Sequence, residues 1–340
     1  MKKSLLALAA LTAFAGAASA QSSVTMFGIV DLAARSVDNG SAGSLKSLST
    51  NGQSSSRLGL RGIEDLGGGL RAGFWIEGDL AADTGNAAGF NWTRRSTVSL
   101  ISNYGEVRMG RDYLPTFVNM STYDMFSYQG VSTIANLRGA FLASGGAKTG
   151  VRADNTISYF LPAMGGVYGQ VTVAAGEGVQ GNKHEGIRLG YAAGPLNISG
   201  AYGKTDKAGT AIDDLTTMNF GASYNLGFMT VQASYEKSDY STTNQKLASA
   251  GVQVPFGSGT FKFNYIKAGG SSDTFRATLM GAGYVYDLSK RTSLGLGYGR
   301  VANEGTNLVG AKYTASGSGA AGIKGGETST GYDFSINHKF

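Results

Sequence analysis

Cysteine is absent from the 340 residues, which excludes thiolate metal sites and a disulfide-stapled scaffold. Only two histidines occur, His184 and His338, far apart and without ligand spacing, so nothing here reads as a histidine-based metal centre. Long apolar runs are missing too. The one that stands out, Leu5 to Ala18, falls short of the roughly 20 residues a spanning helix needs. It follows Lys2 and Lys3 and ends in Ala18-Ser19-Ala20, the pattern of a cleaved export leader. Residues 1–20 are therefore expected to be a signal peptide, leaving 21–340 as a single domain. Charge of one sign is scarce as well: the net value is +6, two of those charges being leader lysines, which gives no footprint for nucleic acid.

What is plentiful is glycine (53), tyrosine (17) and phenylalanine (16), with only 4 prolines, a composition that disfavours helix and suits strands and turns. A mean hydropathy of −0.08 is expected of strands with one face toward lipid and one toward water. The last residues make the point directly. Tyr332, Phe334, Ile336, His338 and Phe340 alternate with Asp333, Ser335, Asn337 and Lys339, so an amphipathic strand runs to the final atom. In lipid every backbone donor needs a partner, and such a strand is satisfied by pairing with the first and closing a barrel.

Alternation and turn punctuation divide the rest into sixteen segments starting near Val24, Ser55, Leu70, Trp92, Glu106, Val151, Val167, His184, Pro195, Leu215, Phe228, Lys246, Gly259, Phe275, Thr292 and Ser329. Tight connections such as Asp65–Gly68, Asn225–Gly227 and Asp287–Lys290 alternate with loose ones such as Ser36–Ser54, Ala82–Asn91 and Glu304–Thr328. The expectation is an all-β chain: a 16-stranded antiparallel transmembrane β-barrel in the outer membrane. The third long connection, from about Leu114 to Gly150, carries Phe117, Met120, Phe126, Leu137 and Phe141, and is expected to fold into the lumen rather than stand in water.

Ser23-Val24-Thr25-Met26-Phe27-Gly28-Ile29-Val30-Asp31, Ser56-Arg57-Leu58-Gly59-Leu60-Arg61-Gly62-Ile63-Glu64-Asp65-Leu66-Gly67, Met109-Gly110-Arg111, Tyr286-Asp287-Leu288-Ser289-Lys290-Arg291-Thr292 and the terminal Phe340 together resemble the general porins of Gram-negative bacteria, the beta-proteobacterial trimeric type above all. The resemblance implies a diffusion channel for small hydrophilic solutes, an inward third loop and an arginine ladder opposite it. Arg57, Arg95 and Arg152 match that ladder, with Arg111, Arg138 and Lys148 as weaker candidates. Asp124 is the one carboxylate of the loop. It also implies a homotrimer in outer-membrane lipid and lipopolysaccharide, with Phe340 read by the barrel-assembly machinery, and no cofactor.

Fixed guanidinium groups lower the energy of a passing anion at any physiological pH, so anion preference is expected. Leu58 and Leu60 mark the lipid face, which turns Arg57, Gly59 and Arg61 inward. Arg94 and Arg95 cannot both face the lumen on a regular strand, and Asp31 and Glu77 could offset the positive field. Two other classes stay open at this point: a barrel enzyme of protease or phospholipase type, and a loop-mediated adhesion protein. Gly317–Gly322 spells G-x-G-x-x-G but lacks the strand and helix of a nucleotide site. Asp213 and Asp214 could hold Ca²⁺.

Overall fold

The computed structural model describes residues 23–85, 91–144, 150–209, 211–271, 276–305, 313–318 and 323–340. The expected leader, Lys148, Phe275 and part of the Gly317–Gly322 run lie outside them. The strands are β1 (Ser23–Asp38), β2 (Ser44–Thr50), β3 (Arg57–Gly67), β4 (Leu70–Asp79), β5 (Arg95–Ser102), β6 (Gly105–Tyr113), β7 (Arg152–Phe160), β8 (Val167–Ala174) and β9 (His184–Ala193). They continue as β10 (Leu196–Thr205), β11 (Leu215–Asn225), β12 (Thr230–Tyr240), β13 (Thr243–Phe256), β14 (Gly259–Gly270), β15 (Ala277–Asp287) and β16 (Thr292–Asn303). A small hairpin, β17 (Tyr313–Thr314) and β18 (Gly317–Ser318), precedes β19 (Thr328–Lys339). Two helices, α1 (Pro115–Thr122) and α2 (Ala135–Ser144), occupy the third long connection.

All strands but β17 and β18 join one sheet whose neighbours are antiparallel, and β1 pairs β19 from Ile29↔Lys339 to Asp38↔Thr330, which closes the cylinder. Gly28 and Phe340 exchange N–H···O bonds of 3.1 Å at the seam. Their side chains meet there too: the Phe340 ring lies over Gly28 where any Cβ would collide with it. With no free edge left, no backbone row is exposed to lipid.

β2 and β3 are two halves of one stave, pairing the upper and lower parts of β1, so the barrel has sixteen staves. Sequence reading places Ser36–Ser54 in a loose loop and begins the second strand at Ser55. Instead β1 runs to Asp38, β2 lies inside the supposed loop, and an inward turn at residues 51–56 breaks the stave. The cause is Asp31, fully buried, whose carboxylate accepts N–H bonds from Gln53 and Ser54 at 3.0 Å and the Asn337 amide at 2.7 Å.

Side chains sort by strand phase. Val24, Met26, Leu189, Phe220, Phe263, Leu296 and Ile336 stand exposed on the outer face. Ser99, Thr172, Ser199, Thr217, Ser234 and Asn219 turn inward. Toward the long-loop end the pattern changes: Leu215, Leu247, Ile266, Leu279 and Val301 point inward and pack with Ile134, Leu137 and Phe141 of the long connection and with Tyr313. An apolar loop has an apolar seat there. Each such side chain contributes about 1.5–3 kcal/mol when fully buried, enough in sum to hold the segment against the wall.

Candidate functional site

The long connection tracks the inner face. α1 packs on β9, β10 and β11, where the Asn119 amide donates to Asn219 Oδ1 at 2.8 Å and Asn219 in turn donates to the Thr116 carbonyl at 2.9 Å. Tyr123 Oη lies 2.7 Å from Ser199 Oγ. Its ring covers Gly221, where a Cβ would overlap it, so only glycine fits at that inward position. Further on, Ser132 donates to the Tyr298 carbonyl at 2.6 Å, Val131 N–H to Asp333 at 3.1 Å, and Gln129 Nε2 to Ser55 Oγ at 2.8 Å. The segment thus crosses the interior from β9–β11 to β16 and β19, and touches the inward turn after β2.

The facing wall is cationic. Arg57 begins β3 and donates from Nε to the Ser55 carbonyl at 2.8 Å, with Nη1 3.4 Å from Glu77. Arg152 begins β7; its guanidinium lies 4.4 Å over the Tyr113 ring and donates to Tyr113 Oη at 2.8 Å. Arg95 lies 4.6 Å over Trp75 and 3.7 Å from Asp112. These three expected residues therefore share one wall.

Arg94 and Arg95 both turn inward, because Arg94 precedes β5 and escapes its alternation. It donates to Glu77 at 2.5 Å, Asp79 at 2.7 Å and Tyr113 Oη at 2.9 Å. Burial opposes its charge, but Tyr113, Glu77 and Asp79 outweigh that and hold its pKa above the ordinary value. It tethers the ends of β4 and β6 together while Arg95 faces the bore.

Three further guanidinium groups extend the wall toward the tight-turn end. Arg61 sits 5.1 Å from the Trp75 ring and 5.3 Å from Phe27. Arg108 lies 4.1 Å over Phe160 and 2.8 Å from both Glu106 and Asp112. Arg188 lies 4.8 Å over Tyr168 and donates to Asn119 Oδ1 at 3.0 Å. Arg95, Arg108, Asp112, Tyr168 and Arg188 bound a recess of about 340 Å³. Each guanidinium stacked on a ring gains about 0.5–1 kcal/mol at an exposed site and presents its N–H edge to the space beside it.

Sequence reading did not single out Arg108 or Arg188, although their phase signals them. Val107 and Met109 are exposed on the lipid face, as are Ile187 and Leu189, so the arginine between each pair must turn inward.

The same rule corrects Arg111. It shares the face of Met109, pairs with Ser96 across the ladder, and binds Asp154 at 2.6 Å on the outer side. Asp112, in phase with Arg108, turns inward instead and binds it at 2.8 Å. Arg138 is likewise not on the bore. It is 1% exposed, with Nε 2.6 Å from Glu236 and Nη1 donating to the Gly150 carbonyl at 3.0 Å. Burial works against its charge, and Glu236 and Tyr128 more than offset that, holding its pKa above the usual arginine value. Asp124 is a loop staple: it accepts from Tyr128 N–H and Thr133 Oγ1 at 2.6 Å, and burial raises its pKa despite those bonds. Neither charge is presented to passing solutes.

A closed sixteen-stave barrel, apolar outside, with a segment packed along its interior opposite a basic wall, defines an outer-membrane channel architecture. The Gram-negative porin family matches residues 7–306, and the chain belongs to it. It is 40% identical to outer membrane porin protein 32 of Delftia acidovorans over the full length of both chains. It is 30% identical to an outer membrane porin protein of Bordetella pertussis over 68% of each. Among solved structures, the anion-selective porin from Comamonas acidovorans superposes with a TM-score of 0.86 at 38% identity, over 94% of this chain and all of that one. The trimer form of OmpT from Vibrio cholerae shares the fold at a TM-score of 0.68 and 14% identity, over 94% of this chain and 99% of that one. The protein is thus an outer-membrane porin, a passive diffusion channel rather than an enzyme.

Proposed function

We propose that this porin prefers anions, and that Arg57, Arg95 and Arg152, joined by Arg61, Arg108 and Arg188, set the preference. One observation carries the reading: in the cluster described above, the cations Arg57, Arg61, Arg94, Arg95, Arg108, Arg152 and Arg188 outnumber the carboxylates Glu77, Asp79, Glu106 and Asp112, while the inward Asp31, Glu236 and Asp333 elsewhere are bonded to Gln53, Arg138 and Arg35. Among the described residues Arg61, Arg152 and Arg188 have no carboxylate in ion-pair reach. A charge pair at 4 Å is worth about 1 kcal/mol in bulk water and about 4 at an effective dielectric of 20. A narrowed lumen lies between those limits, so the wall biases traffic without trapping it. Ring stacking and carboxylate tethers hold the guanidinium groups in place, so no ordering cost falls on the passing ion.

Flux into liposomes tests this. Monovalent organic anions are expected to enter faster than neutral solutes of equal size, and these faster than matched cations. Equal rates for all three would remove the electrostatic role.

The functional unit is proposed to be three copies of this chain, each Gln21–Phe340 after leader removal. Phe340 acts as the assembly signal as well as the seam partner of Gly28. Deleting Phe340 is expected to lower the yield of heat-modifiable folded protein severely, and Gly28→Leu to do so partially by displacing its ring. Normal yield from the deletion would separate Phe340 from assembly.

A further inference from the structure

We propose that the bore carries, on the tight-turn side of its arginine wall, a subsite for monocarboxylates with a compact apolar body such as an aromatic ring. The inference rests on the anion preference proposed above and names a class of anion within it. Ile63 and Ile101 carry it. On β3, Ile63 shares the phase of Arg57 and Arg61, and on β5, Ile101 shares that of Thr97 and Ser99, so both turn toward the bore rather than lipid. Ile63 is nonetheless 47% exposed. A water-filled lumen calls for polar side chains at such positions, and an aliphatic pair left open there suits an apolar ligand.

Between them lies a glycine. Gly73 is directly across the ladder from Ile63 on one side and from Ser99 on the other. A Cβ at Gly73 would stand 3.8 Å from Ile63 and 3.7 Å from Ile101, with nothing nearer than the Gly62 carbonyl at 3.5 Å. No close approach requires glycine at this position, so its effect is to leave an open floor between two aliphatic walls.

Two residues further along β4 stands Trp75, with Arg61 5.1 Å and Arg95 4.6 Å from its ring. With Arg108 and the floor they bound a hollow of about 430 Å³, inside the range of roughly 300–1,000 Å³ that small-molecule sites occupy. Among the described residues Arg61 meets only the rings of Trp75 and Phe27, so its N–H edge is free to take a carboxylate at two points. Arg95 and Arg108 already face Asp112 and Glu106, and add field rather than the main contact. Glu106 also limits the class. It lies directly opposite Ile101, and its carboxylate accepts from Ser99 Oγ at 2.6 Å and Arg108 Nε at 2.8 Å. A second carboxylate at the ligand's far end would meet that anion.

Channel block tests this. Potassium benzoate, potassium acetate or benzyl alcohol is added on the tight-turn side of channels in a planar bilayer, and the concentration that halves the chloride current is read for wild type, I63S/I101S and G73L. Benzoate is expected to act about tenfold below acetate, the low end of the roughly 10- to 200-fold by which an apolar pocket separates ligands differing in one small apolar group. Benzyl alcohol should not act in that range. In I63S/I101S benzoate should fall to the level of acetate, and G73L, which fills the floor while keeping both isoleucines, should do the same. Heat-modifiable gel mobility checks that both variants are folded. Equal action of benzoate and acetate on the wild type would overturn the subsite, as would equal action of benzyl alcohol and benzoate. So would unaltered benzoate block in folded I63S/I101S. The reversal potential in KCl, read in the same membranes, separates the two claims: chloride preference with equal action of the two acids defeats the subsite alone, whereas no chloride preference defeats the reading beneath it.

Discussion

Neutralising Arg57 and Arg152 together, as R57Q/R152Q, is expected to lower the chloride-to-potassium permeability ratio by about tenfold, the factor that corresponds to about 1.4 kcal/mol. This figure takes two charges, each contributing somewhat less than the roughly 1 kcal/mol of a close pair in water. Arg152 should contribute the larger share, because Glu77 already draws on Arg57 at 3.4 Å whereas Arg152 has only the Tyr113 ring and hydroxyl. The loss should deepen as salt falls, since the screening length grows from about 10 Å at 0.1 M to about 30 Å at 0.01 M. A salt-independent change would point to altered pore shape instead. R188Q tests the extended wall: a measurable fall in the ratio is expected even though Arg188 lies below the first cluster, and no change would confine selectivity to the upper residues.

Glu236→Gln is expected to undock the long connection. It leaves the Arg138 guanidinium buried at 1% exposure without its charge partner, a change that costs about 3–5 kcal/mol in comparable buried pairs. The local packing of Leu137 and Phe141 on Leu247 and Leu279 opposes release but does not offset an unpaired charge of that depth. The readout is proteolysis. Chymotrypsin should cleave within the connection, after Tyr128 or Phe141, in E236Q and leave the wild type intact, while the barrel strands stay resistant in both. The apolar double variant R138M/E236M should recover protection, because well-packed hydrophobic replacements of buried pairs are commonly neutral or stabilising. Equal resistance of E236Q and wild type would show that the pair does not hold the loop.

The barrel itself was legible because lipid imposes a period of two. Phe263 and Tyr265, or Met218, Phe220 and Tyr224, expose the faces their alternation requires. Turn residues then set the count. What escaped had no local signature. The break in the second stave depends on Asp31, whose partners include Asn337, a residue from the far end of the chain. A serine-rich stretch around it reads as loop because small and polar residues outweigh Leu45 and Leu48, whereas it pairs in β2 and then turns inward on a buried carboxylate. Arg138 looked like a pore charge for the same reason: Glu236 lies on β12, and nothing around position 138 announces it. Arg111 is the contrary case. Its strand phase, shared with Met109, already turned it outward, and a motif-level match overrode a physical rule that was correct.

The most direct test of the whole account is the zero-current potential of the wild-type channel in a planar bilayer across a KCl gradient. A potential whose sign reports chloride as the more permeant ion, growing as the mean salt concentration is lowered, is the expected result. A potential of zero, or one of the sign that reports potassium, would contradict a bore governed by its arginine wall.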